Sequence, residues 1–457
     1  MKENDKKMKE NDDRTEFSIE SPFGLVNVDI KDFELAKKNA KKQLNPPQRS
    51  FFTQKIEHFL GGEALSDTRY YSTKLGSLMK YHLEHSFLDY TIVNEFYLEG
   101  QIEVPGRYSN TVLSDQERHR FLQTGIRFYE NEHEKFVLTC SVDDYDKDER
   151  ITIHSCQKGR GLQLLDEFES GFYESGALKN AFFDMKFEFI RRIEGINDLL
   201  AWNVEIRDTL AKDVLKFIEI MPLLKKRGLP SSRGIILSGP PGTGKTMMAK
   251  SLASEANITT ILISAEMIQS RSEIKRVFEL GGKLSPTLVI IEDIDTAGTV
   301  SRKFADHPIL GEYLQSLDGM SPNEGMVILA TTNHTENIDP AISDRPGRFD
   351  RIIEVPLPNK TQRREIIQNL LRKMPTGRIS KVALSDLAKR TEGLSGAWIR
   401  EVVQTGMIDA FHEGSEKLTA RNLMIGLEDV LHRRGLAYRM TPSLYKMNDK
   451  NSEVYTA

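Results

Sequence analysis

The chain has 457 residues, and its 63 Lys and Arg nearly balance its 67 Asp and Glu, which gives a formal net charge of −4. This balance offers no electrostatic footprint for nonspecific nucleic-acid binding, and a hydrophobic share of 39% excludes a wholly disordered chain. No apolar run approaches the roughly 18 residues of a transmembrane helix, so no membrane span is expected. Two cysteines outside any CxxC pattern, Cys140 and Cys156, favour a reducing, cytoplasmic setting.

The N-terminal part of the chain passes from a charged segment to strand-like segments. Residues 1–16 are dense in charge and contain MKEND twice, which predicts a disordered tail. Residues 17–193 are predicted to form an α+β domain. It begins with a strand over Phe17–Ile30 and continues with a helix over Asp32–Leu44.

A β-hairpin is the clearest unit of this predicted domain. Its strands, Val137–Val142 and Arg150–Ser155, alternate polar and apolar residues around an Asp-rich turn. Phe182–Ile190 alternates in the same way and is predicted as a further strand of the domain. His82 and His85 lack the Cys or carboxylate cluster of a metal site, so ordinary core or exposed histidines are expected.

The pattern changes to α/β over residues 194–357. Five short apolar runs are separated by amphipathic segments, which predicts a five-stranded parallel sheet covered by helices on both faces. The predicted strands are Ile235–Leu237, Ile258–Ile263, Leu288–Ile291, Met326–Ala330 and Ile352–Val355. Residues 358–437 keep only helical periodicity and predict a small helical domain, followed by a polar tail over 438–457.

A glycine-rich segment follows the first predicted strand and precedes a helix predicted over Met247–Glu255. Its glycines allow backbone conformations that turn successive N–H groups toward one anion, and the helix N-terminus adds its positive dipole end. The lysine of such a loop reaches the β- and γ-phosphate oxygens, and the threonine offers its hydroxyl to Mg²⁺. The predicted nucleotide-binding residues are Gly239, Pro240, Pro241, Gly242, Thr243, Gly244, Lys245, Thr246 and Met247.

Further polar groups follow the later apolar runs. Glu292 and Asp293 end one run, which predicts one carboxylate near Mg²⁺ and one near the attacking water. Asn333 ends the next run and is predicted to orient that water, with a strand-end turn residue as the alternative. Arg345 and Arg348 lie in a Pro/Gly-rich turn that suits the stabilisation of transition-state phosphate charge, with a surface salt-bridge turn as the alternative.

Taken in order and spacing, GPPGTGKT, VIIEDID, ILATTN and DRPGRFD resemble the ATPase module of the AAA family, within the AAA+ superfamily. The resemblance covers about Asn197–Gly435, and it implies a large α/β subdomain and a helical lid. It implies ATP as substrate, with Mg²⁺ held by Thr246 and, through water, by Glu292. In the segment TEGLSGA, Gly396 and Ala397 match the family residues that pack beside the adenine and ribose.

The resemblance also implies assembly. Members form a ring, usually a hexamer, with ATP at the subunit interfaces, so Arg345 and Arg348 would act in the site of the neighbouring subunit. The family couples hydrolysis to the remodelling or movement of macromolecules, mostly proteins.

Two departures from the family pattern narrow the subclass. The acidic pair is Glu292 then Asp293, the reverse of the usual order, and is similar to the mitochondrial AAA translocases of folded Rieske protein. The shorter Asp293 side chain lies about 1.5 Å further from the water if the backbone is unchanged, so slow turnover is plausible. The stretch Ser264–Glu279 is shorter than in protein-threading unfoldases and lacks their aromatic pore loop, with Met267 and Ile268 as its nearest apolar candidates.

The C-terminal residues bear on one specific partner. Proteasome-docking ATPases end with a penultimate Tyr, whereas Tyr455 here is one position too early, which argues against proteasome activation. We therefore expect a ring-forming, Mg²⁺-dependent ATPase that remodels or translocates a protein client, chaperone-like, through an N-terminal substrate or adaptor domain. The alternative is an ATP-gated oligomeric scaffold or signalling switch with slow turnover.

Overall fold

The computed structural model describes residues 16–21, 24–29, 50–143, 147–193, 203–264, 268, 271–294, 325–333, 349 and 351–440. Of these, residues 16–21, 24–29, 271, 272 and 436–440 are described by their backbone only. The predicted helix Asp32–Leu44 and most of both predicted tails lie outside the described residues. None of the helices in the described ranges combines the length and the apolar character that a bilayer-spanning segment needs.

An antiparallel sheet with helices on both faces forms the N-terminal domain, so the α+β prediction is confirmed. The predicted first strand is a hairpin, in which β1 (Glu16–Ser21) pairs with β2 (Gly24–Asp29). The next elements are α1 (Phe51–Leu60), β3 (Leu65–Tyr71), α2 (Thr73–Leu83), β4 (Thr91–Glu99), β5 (Ile102–Val104), β6 (Arg107–Val112), β7 (Arg118–Glu130), β8 (Lys135–Val142), β9 (Glu149–Ser155) and α3 (Arg160–Ser175). The strand order is β3-β9-β8-β7-β4-β5, with β6 paired to β7.

Alternation along the strands divides the core of this domain into two layers. Phe128 and Val137 lie on the face that packs against Ile56 of α1. Their chain neighbours Tyr129 and Phe136 face the other way, into the core that α2 and α3 cover. This is the geometry that period-2 patterning dictates, since successive side chains point to opposite faces of a strand.

A parallel sheet forms the second domain, and its α/β class is confirmed. Its elements are β10 (Phe182–Asp184), α4 (Val204–Leu210), a π-helical segment (Ala211–Lys216), α5 (Phe217–Lys226), β11 (Arg233–Ser238), α6 (Lys245–Ala256), β12 (Thr259–Ser264), α7 (Arg271–Lys283), β13 (Thr287–Glu292), β14 (Met326–Thr332) and β15 (Arg351–Glu354). The strand order is β10-β12-β13-β14-β11-β15, with every neighbouring pair parallel.

The sheet has six strands, so the predicted count of five was wrong. The additional strand is β10, which the boundary at residue 193 assigned to the N-terminal domain and which pairs with the edge strand β12. The predicted strand Phe182–Ile190 was too long, because only Phe182–Asp184 forms a strand. Local alternation could not show which sheet this strand joins, because strand pairing is a long-range property.

Four helices form the C-terminal helical domain, which is called the lid below after its predicted role: α8 (Lys360–Leu371), α9 (Lys381–Arg390), α10 (Gly396–His412) and α11 (Ala420–Met440). A capping box starts α8, because the Asn359 side chain accepts from the Gln362 N–H and the Gln362 side chain accepts from the Asn359 N–H. Buried side chains from the lid helices, including Ile367 and Ile399, form a separate core.

The antiparallel-sheet domain and the parallel-sheet domain contact each other directly. Phe172 of α3 and Phe278 of α7 belong to one continuous apolar core. The Lys179 ammonium donates to the carbonyl oxygens of Leu284 (3.1 Å) and Ser285 (2.7 Å), which follow α7. The two domains therefore share buried apolar surface along the β10 edge.

Candidate active site

Polar residues gather where three neighbouring strands of the parallel sheet end. β11 ends at Ser238, β13 at Glu292 and β14 at Thr332. Because β14 lies between β13 and β11, Asn333 at its carboxyl end is placed between the acidic pair and the glycine-rich loop. Ligands of open α/β sheets bind at this edge of the sheet.

The glycine-rich loop connects β11 to α6 through backbone conformations that L side chains rarely adopt. Gly239 has φ +147°, and a Cβ there would lie 2.2 Å from the carbonyl oxygen of Val355. Gly242 (φ +76°) and Gly244 (φ +100°) also have positive φ, and Gly244 is the N-cap of α6. The glycines are thus required by close approach and by left-handed backbone, and they bring loop N–H groups to the positive end of a helix dipole.

Lys245, the first residue of α6, is 5% exposed and donates to three oxygens. Its ammonium lies 2.8 Å from the Gly239 carbonyl oxygen, 3.0 Å from the Pro240 carbonyl oxygen and 2.8 Å from Asn333 Oδ1. The loop therefore holds the lysine at its rim in a fixed position.

Asn333 connects this lysine to the acidic pair. Its Nδ2 donates to Asp293 Oδ1 at 3.1 Å, while its Oδ1 accepts from Lys245. The orientation of the amide is unambiguous, because an ammonium only donates and a carboxylate only accepts. Asp293 has φ +51°, and its N–H donates to the Thr331 hydroxyl (3.1 Å). Thr331 of β14 therefore also holds the backbone of Asp293 in place.

Thr246 and Glu292 fit a magnesium site by their chemistry. Thr246 follows Lys245 at the N-terminus of α6, and Glu292 ends β13 on the same face as Leu288 and Ile290, which pack in one core with Met248 of α6. A hydroxyl and a carboxylate are hard oxygen donors, the kind that Mg²⁺ prefers, and a site with few protein ligands suits its tendency to keep water.

The lid reaches the glycine-rich loop through the start of α10. The Ala397 N–H donates to the Gly242 carbonyl oxygen at 3.1 Å. A Cβ on Gly242 would lie 2.7 Å from both Ala397 Cβ and Ser395 Oγ, so the loop and the lid approach as closely as a glycine allows. Gly396 lies between these two lid residues, where the sequence predicted contact with the nucleotide base.

The structure brings the predicted loop residues, both acids and Asn333 to one edge of the sheet, with Gly396 and Ala397 at the lid side. Arg345 and Arg348 lie outside the described residues, as does Met267. Ile268 is 4% exposed and packs in the core, so it offers no apolar side chain to a pore. Sequence reasoning missed two residues, Thr331 and Lys250, the second of which pairs with Glu292.

Comparison with known proteins agrees with this geometry. Residues 235–357 match the family model described as "ATPase family associated with various cellular activities (AAA)". Proteins named proteasome-activating nucleotidase are similar: that of Sulfurisphaera tokodaii is 36% identical over 220 residues, covering 46% of this chain and 55% of the relative. That of Saccharolobus solfataricus is 34% identical over 224 residues (46% and 56%), and that of Thermococcus onnurineus 34% over 221 residues (46% and 54%).

The chain thus spans about half the length of the curated relatives that it matches. The family model covers the segment from β11 to just beyond β15, which contains the glycine-rich loop, the acidic pair and Asn333. The resemblance inferred from the four motifs is confirmed, and residues 235–357 of this chain are an AAA ATPase domain.

Proposed function

We propose that this chain is a Mg²⁺-dependent ATPase that assembles into a ring, six subunits by the family pattern, and remodels or translocates a protein client in the cytoplasm. The observation that carries the proposal is the hydrogen-bonded series Lys245–Asn333–Asp293 beside the glycine-rich loop. It unites a phosphate-binding cation, an amide and a carboxylate base at the edge of the sheet where ligands bind.

Each residue of the series has a defined task in this proposal. Lys245 transfers its donors from loop oxygens to the β- and γ-phosphates, where its charge is most useful. Asp293 accepts a hydrogen bond from the attacking water and polarises it, and Asn333 orients that water. Thr246 and Glu292 would hold Mg²⁺, Glu292 through water, and the metal would supply charge neutralisation at the phosphates.

Groups on either side complete the proposed site. Gly396 and Ala397 line the adenine side, supported by the contact between Ala397 and Gly242. Arg345 and Arg348 are assigned to the site of the neighbouring subunit, where an arginine lowers the barrier by stabilising transition-state charge. Hydrolysis then depends on assembly.

The N-terminal domain is the proposed client or adaptor domain. Its docking supports mechanical coupling, because Lys179, which follows the last helix of this domain, donates to the carbonyl oxygens of Leu284 and Ser285 just after α7. The relatives are named for activating proteasomes, and that name describes the relatives and not this chain. This chain shares their ATPase segment, and a proteasome is one partner that the following experiment can reveal.

The experiment uses Asp293→Asn as a substrate trap. The Asn keeps an oxygen that accepts from Asn333 and removes the carboxylate that polarises water, so ATP is held and not hydrolysed. The variant is loaded with ATP and Mg²⁺, captured from a lysate of the native host, and its companions are identified by mass spectrometry. Lys245→Met, which cannot bind the phosphates, is the matched control.

A protein client that co-purifies with the trap, and is lost with Lys245→Met or after exchange to ADP, supports the remodelling function. Capture of this chain alone contradicts it and supports the ATP-gated scaffold. The latter has one observation in its favour: the acid assigned to polarise the water is Asp293, which is shorter than a Glu and favours slow turnover.

A further inference from the structure

Glu292 forms an ion pair with Lys250, a residue that lies outside the four sequence motifs. The Lys250 ammonium lies 3.0 Å from Glu292 Oε1, and both side chains are mostly buried, at 28% and 20% exposure. No hydrogen bond from a described residue reaches this buried Oε1. The ion pair with Lys250 is therefore what compensates the loss of water around that oxygen.

The fold explains why these two residues meet. Lys250 lies four residues after Thr246 on α6, so the two side chains share one face of the helix, one turn apart. Glu292 projects from the face of β13 that packs against α6. The carboxylate thus reaches the helix face that carries both the proposed metal ligand Thr246 and Lys250.

The reversed acidic pair has a physical consequence at this position. A Glu side chain is one C–C bond, about 1.5 Å, longer than an Asp. An Asp at 292 would draw the carboxylate back from the helix and lengthen a 3.0 Å contact beyond ion-pair distance. The longer Glu292 side chain is therefore what allows β13 to form an ion pair with Lys250 on α6.

We propose that Lys250 is a positioning residue for the magnesium site: it fixes one oxygen of Glu292 and leaves the other, Oε2, to face the metal beside Thr246. This inference rests on the proposed ATPase function. Partners that orient a metal-binding carboxylate change metal affinity by about 10- to 100-fold when they are removed. Lys250 touches neither substrate nor water in this scheme and acts only through Glu292.

The test measures binding rather than turnover. The dissociation constant of ATP is determined by isothermal titration calorimetry in EDTA and again in excess Mg²⁺, and the ratio of the two reports how much the metal contributes. In Lys250→Met, which keeps the length of the side chain and removes its charge, we expect unchanged affinity in EDTA and a ratio about tenfold smaller than in the wild type. Lys250→Arg should restore the ratio.

Three further variants test whether Lys250 acts through Glu292. Glu292→Gln should lower the ratio to a similar degree, and combining it with Lys250→Met should add little, because both remove the same ion pair. Lys275→Met, which removes the exposed pair between Lys275 and Glu279 on α7, is the matched control and should leave the ratio unchanged.

The possible failures are distinguishable. A wild-type chain that binds no ATP overturns the proposed function and this inference together. If Mg²⁺ raises the ATP affinity of the wild type and raises that of Lys250→Met by the same factor, the inference about Lys250 is overturned and the proposed function stands. An equal loss in EDTA and in Mg²⁺ also overturns it, because Lys250 would then act on the phosphates and not through the metal.

Discussion

Two lysines of this chain are buried in similar ways, and they belong to different kinds of site. Lys80 in the N-terminal domain is fully buried, and its ammonium contacts the carbonyl oxygens of Gln123 (2.7 Å) and Ser141 (2.8 Å) and the Glu149 carboxylate. Lys245 in the ATPase domain is 5% exposed and also has three oxygen acceptors. The number of hydrogen bonds therefore does not distinguish the two residues.

The nature of the acceptors does distinguish them. Lys80 meets a carboxylate, Glu149, that is itself 1% exposed, so the pair neutralises its charge inside a closed core. Lys245 donates to two loop carbonyls and to the Asn333 amide oxygen, at the open edge of a sheet. A lysine held by loop oxygens at an open edge can be transferred to phosphates, whereas a lysine neutralised in a closed core is committed to the fold.

Removal of Lys80 is the largest expected effect on stability. Lys80→Met leaves Glu149 buried without its counter-ion, which typically costs about 3–5 kcal/mol in the free energy of unfolding. Urea unfolding followed by circular dichroism measures the loss. The double variant Lys80→Met with Glu149→Met should recover most of it, and a loss below about 1 kcal/mol in the single variant would contradict the distinction between the two lysines.

Removal of Lys245 should weaken ATP binding and leave the stability of the fold nearly unchanged. Lys245→Met is expected to weaken ATP binding by at least about 100-fold, because the charge-assisted contacts to the phosphates are lost. Its unfolding free energy should change by less than about 1 kcal/mol, since the freed carbonyls lie at the open edge and can be hydrated. Calorimetric titration with ATP and urea unfolding of the same sample check both parts. Strong destabilisation with intact ATP binding would reverse the assignment.

Asn333 tests whether the two halves of the active site are connected. Asn333→Ala removes both the acceptor for Lys245 and the donor to Asp293, so turnover should fall about 100-fold, or about 2.7 kcal/mol in barrier height. ATP affinity should change by less than about fivefold. Asn369→Ala in the lid removes another buried amide and is the control, with turnover expected at the wild-type level.

A smaller, pH-dependent effect is expected in the N-terminal domain. Burial lowers the pKa of His154 to about 4, and its ring nitrogens contact the hydroxyls of Ser66 (2.7 Å) and Thr139 (3.1 Å). The unfolded histidine binds a proton below about pH 6.5 while the folded one does not, so this stability is present above pH 6.5 and is lost as the pH falls toward 4.

The predicted loss from this histidine is about 2 kcal/mol between pH 7 and pH 5. It is measured as the difference in unfolding free energy between the wild type and His154→Gln at the two pH values. Since other groups titrate equally in both proteins, the difference isolates His154. An unchanged difference across this pH range would show that the folded ring takes up its proton as readily as the unfolded one.

The sequence predicted the parts of the site that depend on local spacing. The loop from Gly239 to Thr246 was predicted because glycine, lysine and hydroxyl must follow one another closely to bind phosphates. Asn333 was predicted from its position at a strand end. Its bonds to Lys245 and Asp293 could not be, because they depend on β14 lying between β13 and β11.

Lysines show the limit of local patterns most clearly. Lys250 left a signal, its separation of four residues from Thr246, but a lysine inside a helix is ordinarily a solvated residue. Lys80 gave none, since its burial depends on Glu149, which is 69 residues away in the chain. The six-stranded sheet was missed for the same reason, because the pairing of β10 joins residues far apart in sequence.

The most direct test of the account is ATP binding and phosphate release measured side by side for the wild type and Asp293→Asn. The account predicts that the wild type releases phosphate in the presence of Mg²⁺. It predicts that Asp293→Asn binds ATP within about threefold of the wild type and releases phosphate at least about 100-fold more slowly. Phosphate release by Asp293→Asn at the wild-type rate, or none by the assembled wild type, would contradict the assignment of this site.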